Sequence, residues 1–353
     1  MTQQESKAIN IARFIFVVGV LFIHFPISYI SADGISLVAS DTPYYNLLSS
    51  RFFLSDACLS GLFLLSGYLF FKNIFFGGGY SEELYFKKIN GRLHSIVVPY
   101  LFWNVFWLIY NLLKTYKLHG TPDSDLLEIS SLGDFFSCFW QRGYGMHPDF
   151  PIAGYTWYLR DLFVFALLSP IYNYCYKNRN LGMPLLVIFL ICESVGGWHI
   201  PGMNAWIYIG GYISYKGFSF EQICKKVSWL WSVIIFCAVN FGYYYMFHNE
   251  ALHTLLTLVS FVLVFKLSLL VWNSKVLLSI SASSTFLYLT HIFVLNVSRH
   301  SLAKLLVIDS DLDMCIYYVL NATICVIVCL STYYALKSMK ANMLLKVLTG
   351  GRV

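Results

Sequence analysis

The first long apolar stretch of the sequence contains two candidates for a chemical role, Arg13 and His24. They lie eleven residues apart. At about 100° per residue this spacing turns a helix by about 1100°, which places both side chains within roughly 20° of one face and about 16 Å apart along the axis. Guanidinium groups bind anions, and an imidazole titrates near neutral pH. The pattern therefore predicts that both side chains project from one face, Arg13 near the cytoplasmic end of the helix and His24 about three turns further, beyond the bilayer centre.

Pro26 follows His24 closely and bears on the geometry of that base. Proline has no N–H, so the carbonyl of Phe22 loses its helical partner, and we expect a kink one turn around His24. The alternative is that Arg13 snorkels to the lipid headgroups and His24 is a hydrogen-bonded packing residue. Two such side chains on one face beside a kink favour a site, because ionisable groups inside a membrane are costly and often functional.

Other ionisable residues fall within the apolar stretches. His291 is predicted to lie at a depth comparable to that of the first histidine. Arg160 and Asp161 open another stretch on its outer side. Adjacent helical residues point about 100° apart, so we expect Arg160 and Asp161 to pair with other helices rather than with each other. Glu193 and Lys266 are single charges, and we interpret them as structural.

A basic segment precedes the third apolar stretch. Lys87, Lys88 and Arg92 are spaced over little more than one helical turn, which suits a phosphate group. The alternative is the ordinary excess of positive charge on the cytoplasmic side of a membrane protein. A polyanionic ligand would favour the first interpretation.

We predict that transmembrane helices carry these residues. Apolar residues make up 58% of the 353 positions and charged residues 12%, whereas soluble domains average about 25% charged residues. Apolar stretches of about 20 residues recur along the chain, which is the length that crosses a bilayer. We therefore predict an all-α, polytopic integral membrane protein with a single membrane-embedded domain over residues 1–353. Its ten predicted spans are residues 9–30, 53–71, 95–113, 156–174, 183–196, 204–215, 228–247, 252–272, 278–297 and 314–336.

Small residues are predicted to serve packing in this bundle. Ser66 and Gly67 lie in the second span, where small side chains let two helices approach closely. The nine cysteines are scattered, without a Cys-x-x-Cys pair. We interpret them as small core residues and expect neither a disulfide framework nor a metal site.

The distribution of lysine and arginine predicts the orientation of the chain. With the N-terminus in the cytoplasm, the predicted inner segments hold 15 of these residues and the outer segments 6. Positive charge collects on the inside, so both termini are predicted to be cytoplasmic. This distribution also accounts for the net charge of +6, and we expect no nucleic-acid partner.

Two further expectations follow for the parts of the chain outside the spans. The longest connection, residues 114–155, becomes an extracytoplasmic loop, and its aromatic, glycine and proline residues predict a folded outer cap. The N-terminal stretch has no small-x-small cleavage site. This favours an uncleaved first helix over a signal peptide.

Five patches of the sequence follow one another in a recognisable order. They are Arg13-x10-His24; residues 61–69 (GLFLLSGYL); Lys87, Lys88 and Arg92 before Pro99-Tyr100; Trp157-Tyr158-Leu159; and Tyr288-Leu289-x-His291. Together they resemble acyltransferase family 3, the transmembrane acyltransferases of the bacterial surface-polysaccharide O-acetyltransferase type, whose members usually have ten helices. Many members carry a glutamate a few residues after the fourth-span tryptophan, where this chain has Arg160-Asp161. The resemblance is to members without an appended hydrolase-like domain.

The resemblance implies an activity, a location and partners. The activity is transfer of an acyl group, by default acetyl, from cytoplasmic acyl-CoA to a hydroxyl of an extracytoplasmic or lipid-linked glycan at the bacterial inner (cytoplasmic) membrane. Acetyl-CoA is then a co-substrate, no metal is needed, and the partners are membrane lipid, the glycan acceptor and acyl-CoA.

The same resemblance implies roles for individual residues. These are donor binding by Arg13, Lys87, Lys88 and Arg92, catalysis by His24 with Arg13, Asp161 and His291, and substrate binding by Trp157 and Arg160. His24 is either the general base on the acceptor hydroxyl or a nucleophile that forms an acyl-histidine.

Two other functions remain open. A flippase or transporter for lipid-linked sugars would also have about ten helices and buried charges. A membrane polysaccharide polymerase would work mainly from a large outer loop. Neither of them consumes acyl-CoA, so use of that donor separates the acyltransferase from both.

Overall fold

A computed structural model describes residues 1–24, 28–30, 36–38, 55–75, 80–118, 129–141, 150–195, 199–243, 250–306 and 311–351. The regular structure of these residues is helical except for one short antiparallel hairpin. In that hairpin, strands β1 (Ser28–Ile30) and β2 (Ser36–Val38) pair with Tyr29 opposite Leu37. Apart from the hairpin, the described residues agree with the predicted all-α class.

The helices follow one another in chain order. They are α1 (Gln3–Ile23), α2 (Ser55–Phe75), α3 (Glu82–Arg92), α4 (Val98–Leu118), α5 (Leu132–Ser137), α6 (Trp157–Lys177), α7 (Arg179–Val195), α8 (His199–Tyr215), α9 (Phe220–Lys226), α10 (Trp229–Phe241), α11 (Glu250–Leu270), α12 (Lys275–Ser281), α13 (Ser284–Leu305), α14 (Asp311–Ser338) and α15 (Asn342–Thr349). A π-helical segment, Leu93–Val97, joins α3 to α4, and a 3-10 turn, Gly154–Thr156, leads into α6. Each predicted span overlaps one or two of these helices.

Several helices have the length and composition of membrane spans. Three segments of the described chain qualify alone: Glu82–Lys117, Ala251–Leu270 and Cys315–Ser338. If α9 with α10 and α12 with α13 each form one broken span, bent by 89° and 62°, the number rises to five. By length and composition these helices are compatible with a helical membrane protein. The full set of ten spans and the cytoplasmic termini remain predictions.

The chain divides into two compact units. The first comprises Met1–Tyr80 and Tyr172–Ala335, and the second comprises Ser81–Ile171 and Leu336–Val353. Helices α6 and α14 each begin in one unit and end in the other. The predicted site residues are therefore distributed over both units.

Glycines bring α2 and α8 together in the first unit. A Cβ at Gly67 would overlap the carbonyl oxygen of Ile207, and a Cβ at Gly210 would overlap the carbonyl oxygen of Leu64. Backbone meets backbone at this contact, because small residues leave no side chain between the helices. The predicted close approach at Gly67 is confirmed.

A buried carboxylate ties α1 to α2 and to the start of α9. Glu5 is 1% exposed and accepts hydrogen bonds from the Tyr68 hydroxyl at 2.6 Å, the Lys72 ammonium at 2.9 Å, the Ser219 hydroxyl at 2.8 Å and the Phe220 N–H at 3.1 Å. Glu5 precedes the predicted first span. Burial raises the pKa of its carboxyl group, but the hydrogen bonds from Tyr68, Lys72 and Ser219 outweigh burial and leave the pKa below its ordinary value.

Lys266 has a structural environment, in agreement with its interpretation from the sequence. Its buried ammonium group donates to the carbonyl oxygens of Cys224 at 3.0 Å and Val227 at 2.5 Å, and lies 5.0 Å from the centre of the Trp229 ring. A cation at the C-terminal carbonyls of α9 is favourable, and here it holds the bend between α9 and α10. The side chain of Glu193 lies outside the described residues.

The short C-terminal helix α15 belongs to the second unit. Leu345 is fully buried, and the Trp103 indole N–H donates to the Leu348 carbonyl at 3.2 Å. Gly350 follows the helix with φ +68°, and a Cβ there would overlap the backbone of Ser95. A left-handed conformation against neighbouring backbone requires glycine, so the end of this helix is fixed against the π-helical segment before α4.

Candidate functional site

The helix that carries Arg13 ends just before His24. Helix α1 runs from Gln3 to Ile23, and His24 is its C-cap, with φ −85° and ψ 4°. The predicted continuation of this helix to residue 30 is wrong, because strand β1 begins at Ser28. Pro26 lies outside the described residues, but its missing N–H opposes helix continuation in any conformation. The helix thus ends before the proline, whereas a kink within a longer helix was predicted.

The carbonyl oxygen of Phe22 acquires a partner from another helix. The hydroxyl of Tyr318, on α14, donates to it at 3.3 Å. The Tyr318 ring also packs against the Phe22 ring, with centroids 5.3 Å apart and planes tilted by 46°. Sequence reasoning identified this carbonyl as one that loses its helical partner, but it did not identify Tyr318.

The two predicted histidines meet. The rings of His24 and His291 lie with their centroids 5.1 Å apart and their planes tilted by 44°. His291, on α13, is fully buried, and His24 is half-buried. The structure therefore brings together two residues that the sequence placed only at a similar depth.

One hydrogen bond fixes the tautomer of His291. Its Nδ1 lies 2.5 Å from the carbonyl oxygen of Tyr288. A carbonyl oxygen only accepts, so Nδ1 carries the hydrogen, and in the neutral ring Nε2 is the nitrogen with the lone pair. In the neutral ring, Nε2 is therefore the nitrogen of His291 that can accept a hydrogen bond.

Helix α14 also contacts the backbone around His291. The Cys325 thiol donates to the His291 carbonyl at 3.6 Å, and the Thr290 hydroxyl donates to the Cys329 sulfur at 3.3 Å. Both cysteines are buried, which agrees with their interpretation as small core residues. Helix α14 therefore braces α13 beside the histidine pair.

Arg13 lies on α1, which continues without a break to Ile23, the residue before His24. Its Nη2 donates to the Asn10 side chain at 3.4 Å, and the residue is half-buried. Because α1 is unbroken from Gln3 to Ile23, the helical spacing from which one face was predicted for Arg13 and His24 holds up to the residue before His24.

The basic segment Lys87, Lys88 and Arg92 lies on α3, in the second unit. Lys87 is exposed, whereas Lys88 and Arg92 are half-buried. Lys88 and Arg92 are four residues apart on one helix and share a face. The structure thus places this basic pair in one unit and Arg13 in the other.

Arg160 and Asp161 pair with each other, so the expectation that they pair with other helices is wrong. The Arg160 Nε donates to the Asp161 carboxylate at 2.9 Å, and both residues are at least 95% buried. The Arg160 Nη1 also donates to the Trp140 carbonyl at 2.5 Å, with the guanidinium 5.1 Å from the centre of the Trp140 ring. The Arg160 side chain is long enough to fold back onto the adjacent residue despite the angle between the two positions, and burial favours that pairing.

Trp157 contributes to the packing of the outer loop. It is buried and stacks on Phe150 with centroids 5.6 Å apart. The side chain of Asn104, on α4, donates to the Thr156 hydroxyl at 2.9 Å and accepts from the Ala153 N–H at 3.1 Å. The described parts of the loop are therefore folded against α4 and α6, while residues 119–128 and 142–149 lie outside the description. Asn104 and Trp140 carried no sequence signal that marked them as anchors.

Metal ligation has no support from the described part of the chain. Within it, no three or more His, Cys, Asp and Glu residues form a group that could hold a metal ion.

The apolar helices have the length and composition of a helical membrane protein, and the pair of His24 and His291 is its candidate acid–base site. A family model for an acyltransferase domain, that of acyltransferase family 3, matches residues 6–334, nearly the whole chain. The chain belongs to this family, as the five patches indicated, and it is a membrane acyltransferase. No curated protein and no solved structure matches it.

Proposed function

We propose that this protein is a membrane O-acyltransferase of the bacterial inner membrane. It moves an acyl group, by default acetyl, from cytoplasmic acyl-CoA to a hydroxyl of an extracytoplasmic or lipid-linked glycan. The observation that carries the proposal is the contact between His24 and His291 in a chain of this family, with ring centroids 5.1 Å apart. A pair of imidazoles supplies the proton transfers that acyl transfer to a hydroxyl requires.

His24 acts as the general base in this proposal. It takes the proton of the acceptor hydroxyl while the oxygen attacks the thioester carbonyl carbon. The carbon–sulfur bond then breaks, and the CoA sulfur leaves and takes the proton back from His24. Base catalysis of this kind typically contributes about 10²–10⁴-fold.

His291 assists by holding the first histidine in position. Because its Nδ1–H is donated to Tyr288, its Nε2 can accept a hydrogen bond from His24 when that ring is protonated. This arrangement stabilises the imidazolium formed in the first step. An acyl-histidine on His24 is the alternative route, and it requires two successive acyl transfers.

The donor is assigned to the predicted cytoplasmic side. Acyl-CoA carries several phosphate charges, and Arg13, Lys87, Lys88 and Arg92 are the cations proposed to bind them. Lys88 and Arg92 share one face of α3, which suits a phosphate held by two side chains. Membership of the family supports acyl transfer, and the choice of donor is our proposal.

The acceptor is assigned to the predicted outer side. Asp161 is proposed to orient the reacting groups, and Trp157 and Arg160 are proposed to bind the glycan. All three lie at the start of α6, where the outer loop is folded against them. An acceptor that enters here would compete with Trp140 for the Arg160 guanidinium.

The test uses purified full-length protein in nanodiscs with radiolabelled acetyl-CoA and a crude surface-glycan extract. His24→Gln keeps a polar side chain but removes the base, and His253→Gln is the matched control, because His253 is also half-buried. We expect His24→Gln to lose roughly 10²-fold or more in transfer and His253→Gln to retain it. Acid quenching followed by mass spectrometry of the His24 peptide distinguishes a trapped acyl-histidine from base catalysis.

The proposal would be abandoned on either of two results. One is that folded protein neither binds acetyl-CoA nor transfers label, which would direct attention to flippase assays. The other is that His24→Gln transfers at the natural rate.

A further inference from the structure

Tyr318 contacts the final turn of α1 next to the candidate base. Its hydroxyl donates to the Phe22 carbonyl at 3.3 Å, and its ring packs on the Phe22 ring at 5.3 Å. Phe22 is two residues before His24. We propose that Tyr318 is a positioning residue, which fixes the end of α1 and so holds His24 against His291. This inference rests on the proposed function of that pair.

The need for such a donor follows from the covalent structure. The last carbonyls of a helix lack intrahelical partners, and the residue that would pair with Phe22 is Pro26, which has no N–H. A carbonyl buried away from water must find another donor or bear an energetic penalty. Tyr318, 2% exposed, supplies a donor from a different helix.

One face of α14 reaches both sides of the histidine pair. Tyr318 and Cys325 are seven residues apart on a continuous helix, which puts them within roughly 20° of the same face. Tyr318 holds the backbone before His24, and Cys325 contacts the carbonyl of His291 at 3.6 Å.

Asn321 lies between these two residues on the same face of α14. It is fully buried, and its side chain accepts a hydrogen bond from Ser298 on α13. This face therefore sets the relative position of the two imidazoles through the backbone of both.

Tyr317 provides a matched control. It is the neighbouring residue on α14, it is 1% exposed, and its hydroxyl donates to the Arg299 carbonyl at 3.4 Å. Tyr317→Phe and Tyr318→Phe each remove one hydroxyl from a buried ring and leave one backbone carbonyl without that donor. Only Tyr318→Phe removes a hydrogen bond to α1.

The experiment measures acetyl transfer and His24 accessibility in the same two variants. We expect Tyr318→Phe to lower kcat about ten- to hundredfold, as a misplaced catalytic group does, with KM for acetyl-CoA changed less than about twofold. Tyr317→Phe should retain kcat within about twofold, and the variants should unfold at similar temperatures. Labelling by diethyl pyrocarbonate, followed by mass spectrometry, should show faster modification of His24 relative to His253 in Tyr318→Phe only.

The outcomes separate the positioning role from the proposed reaction. Equal loss of kcat in both tyrosine variants, or an unchanged kcat and unchanged labelling of His24 in Tyr318→Phe, would overturn the inference. If the natural protein transfers no acetyl group but the labelling difference is present, Tyr318 positions His24 and the proposed reaction is wrong.

Discussion

The close contact between α2 and α8 can be tested by adding a single methyl group. In Gly67→Ala the new Cβ would overlap the carbonyl oxygen of Ile207. That oxygen belongs to the backbone of a helix and cannot rotate away, so the two helices must separate. Gly91→Ala is the matched control, because Gly91 lies in helix α3 and a Cβ there meets nothing within 4 Å.

The two substitutions differ mainly in the steric cost. Alanine in place of helical glycine gains about 0.5–1 kcal/mol at either position. Overpacking at a close contact costs about 1–3 kcal/mol, and only Gly67 has such a contact. At about 2 °C per kcal/mol for a chain of this size, the two variants should differ in unfolding temperature by about 2–6 °C.

The assay is thermal unfolding of both purified variants in the same detergent, monitored by tryptophan fluorescence. Gly210→Ala should resemble Gly67→Ala, since its Cβ would overlap the Leu64 carbonyl at the same interface. The double variant should lose less than the sum of the single losses, because the helices need to separate only once. Equal unfolding temperatures for Gly67→Ala and Gly91→Ala would refute the packing argument.

Two further predictions concern buried charges. Because the folded state lowers the pKa of Glu5 below its ordinary value of 4.5, its stabilisation is present above that value and is lost as pH falls through the folded pKa. Glu5→Gln should therefore unfold at a lower temperature than the natural protein at pH 7, and this difference in unfolding temperature should narrow as the pH falls below 4.5. A difference that does not depend on pH would contradict this. Arg160→Lys cannot reproduce the forked contacts to Asp161 and Trp140, so we expect faster proteolysis of the outer loop than in Lys177→Arg, and equal rates would contradict the anchoring role.

The sequence predicted most of the helical architecture for a simple physical reason. A membrane helix needs about 20 apolar residues, and such stretches are visible without knowledge of their neighbours. The depth of a residue in the membrane is likewise predicted from its position within its own apolar stretch, so His24 and His291 could both be recognised as candidates. Their contact depends on which helices are adjacent, and a single sequence does not encode that in any local pattern.

Other features were not predicted because they depend on residues far apart in the chain, on flexible side chains or on very short strands. The sequence showed that the Phe22 carbonyl loses its helical partner, but the donor that replaces it, Tyr318, is 296 positions away in the chain. Arg160 and Asp161 were predicted to pair with other helices because adjacent side chains leave a helix about 100° apart, although side-chain length and burial decided the pairing. The hairpin after α1 has strands of three residues, too short for an alternating pattern to stand out.

The anchored C-terminal helix has a practical consequence for protein engineering. The family match ends at residue 334, so a chain trimmed to that boundary would lose α15. It would lose with it the buried Leu345 and the acceptor of the Trp103 indole N–H. A residue with a side chain in place of Gly350 would overlap the backbone of Ser95, so the end of α15 also needs this glycine. A purification tag therefore belongs beyond Gly351 on a flexible spacer, and yields from shorter chains would report loss of this packing rather than any property of the histidine site.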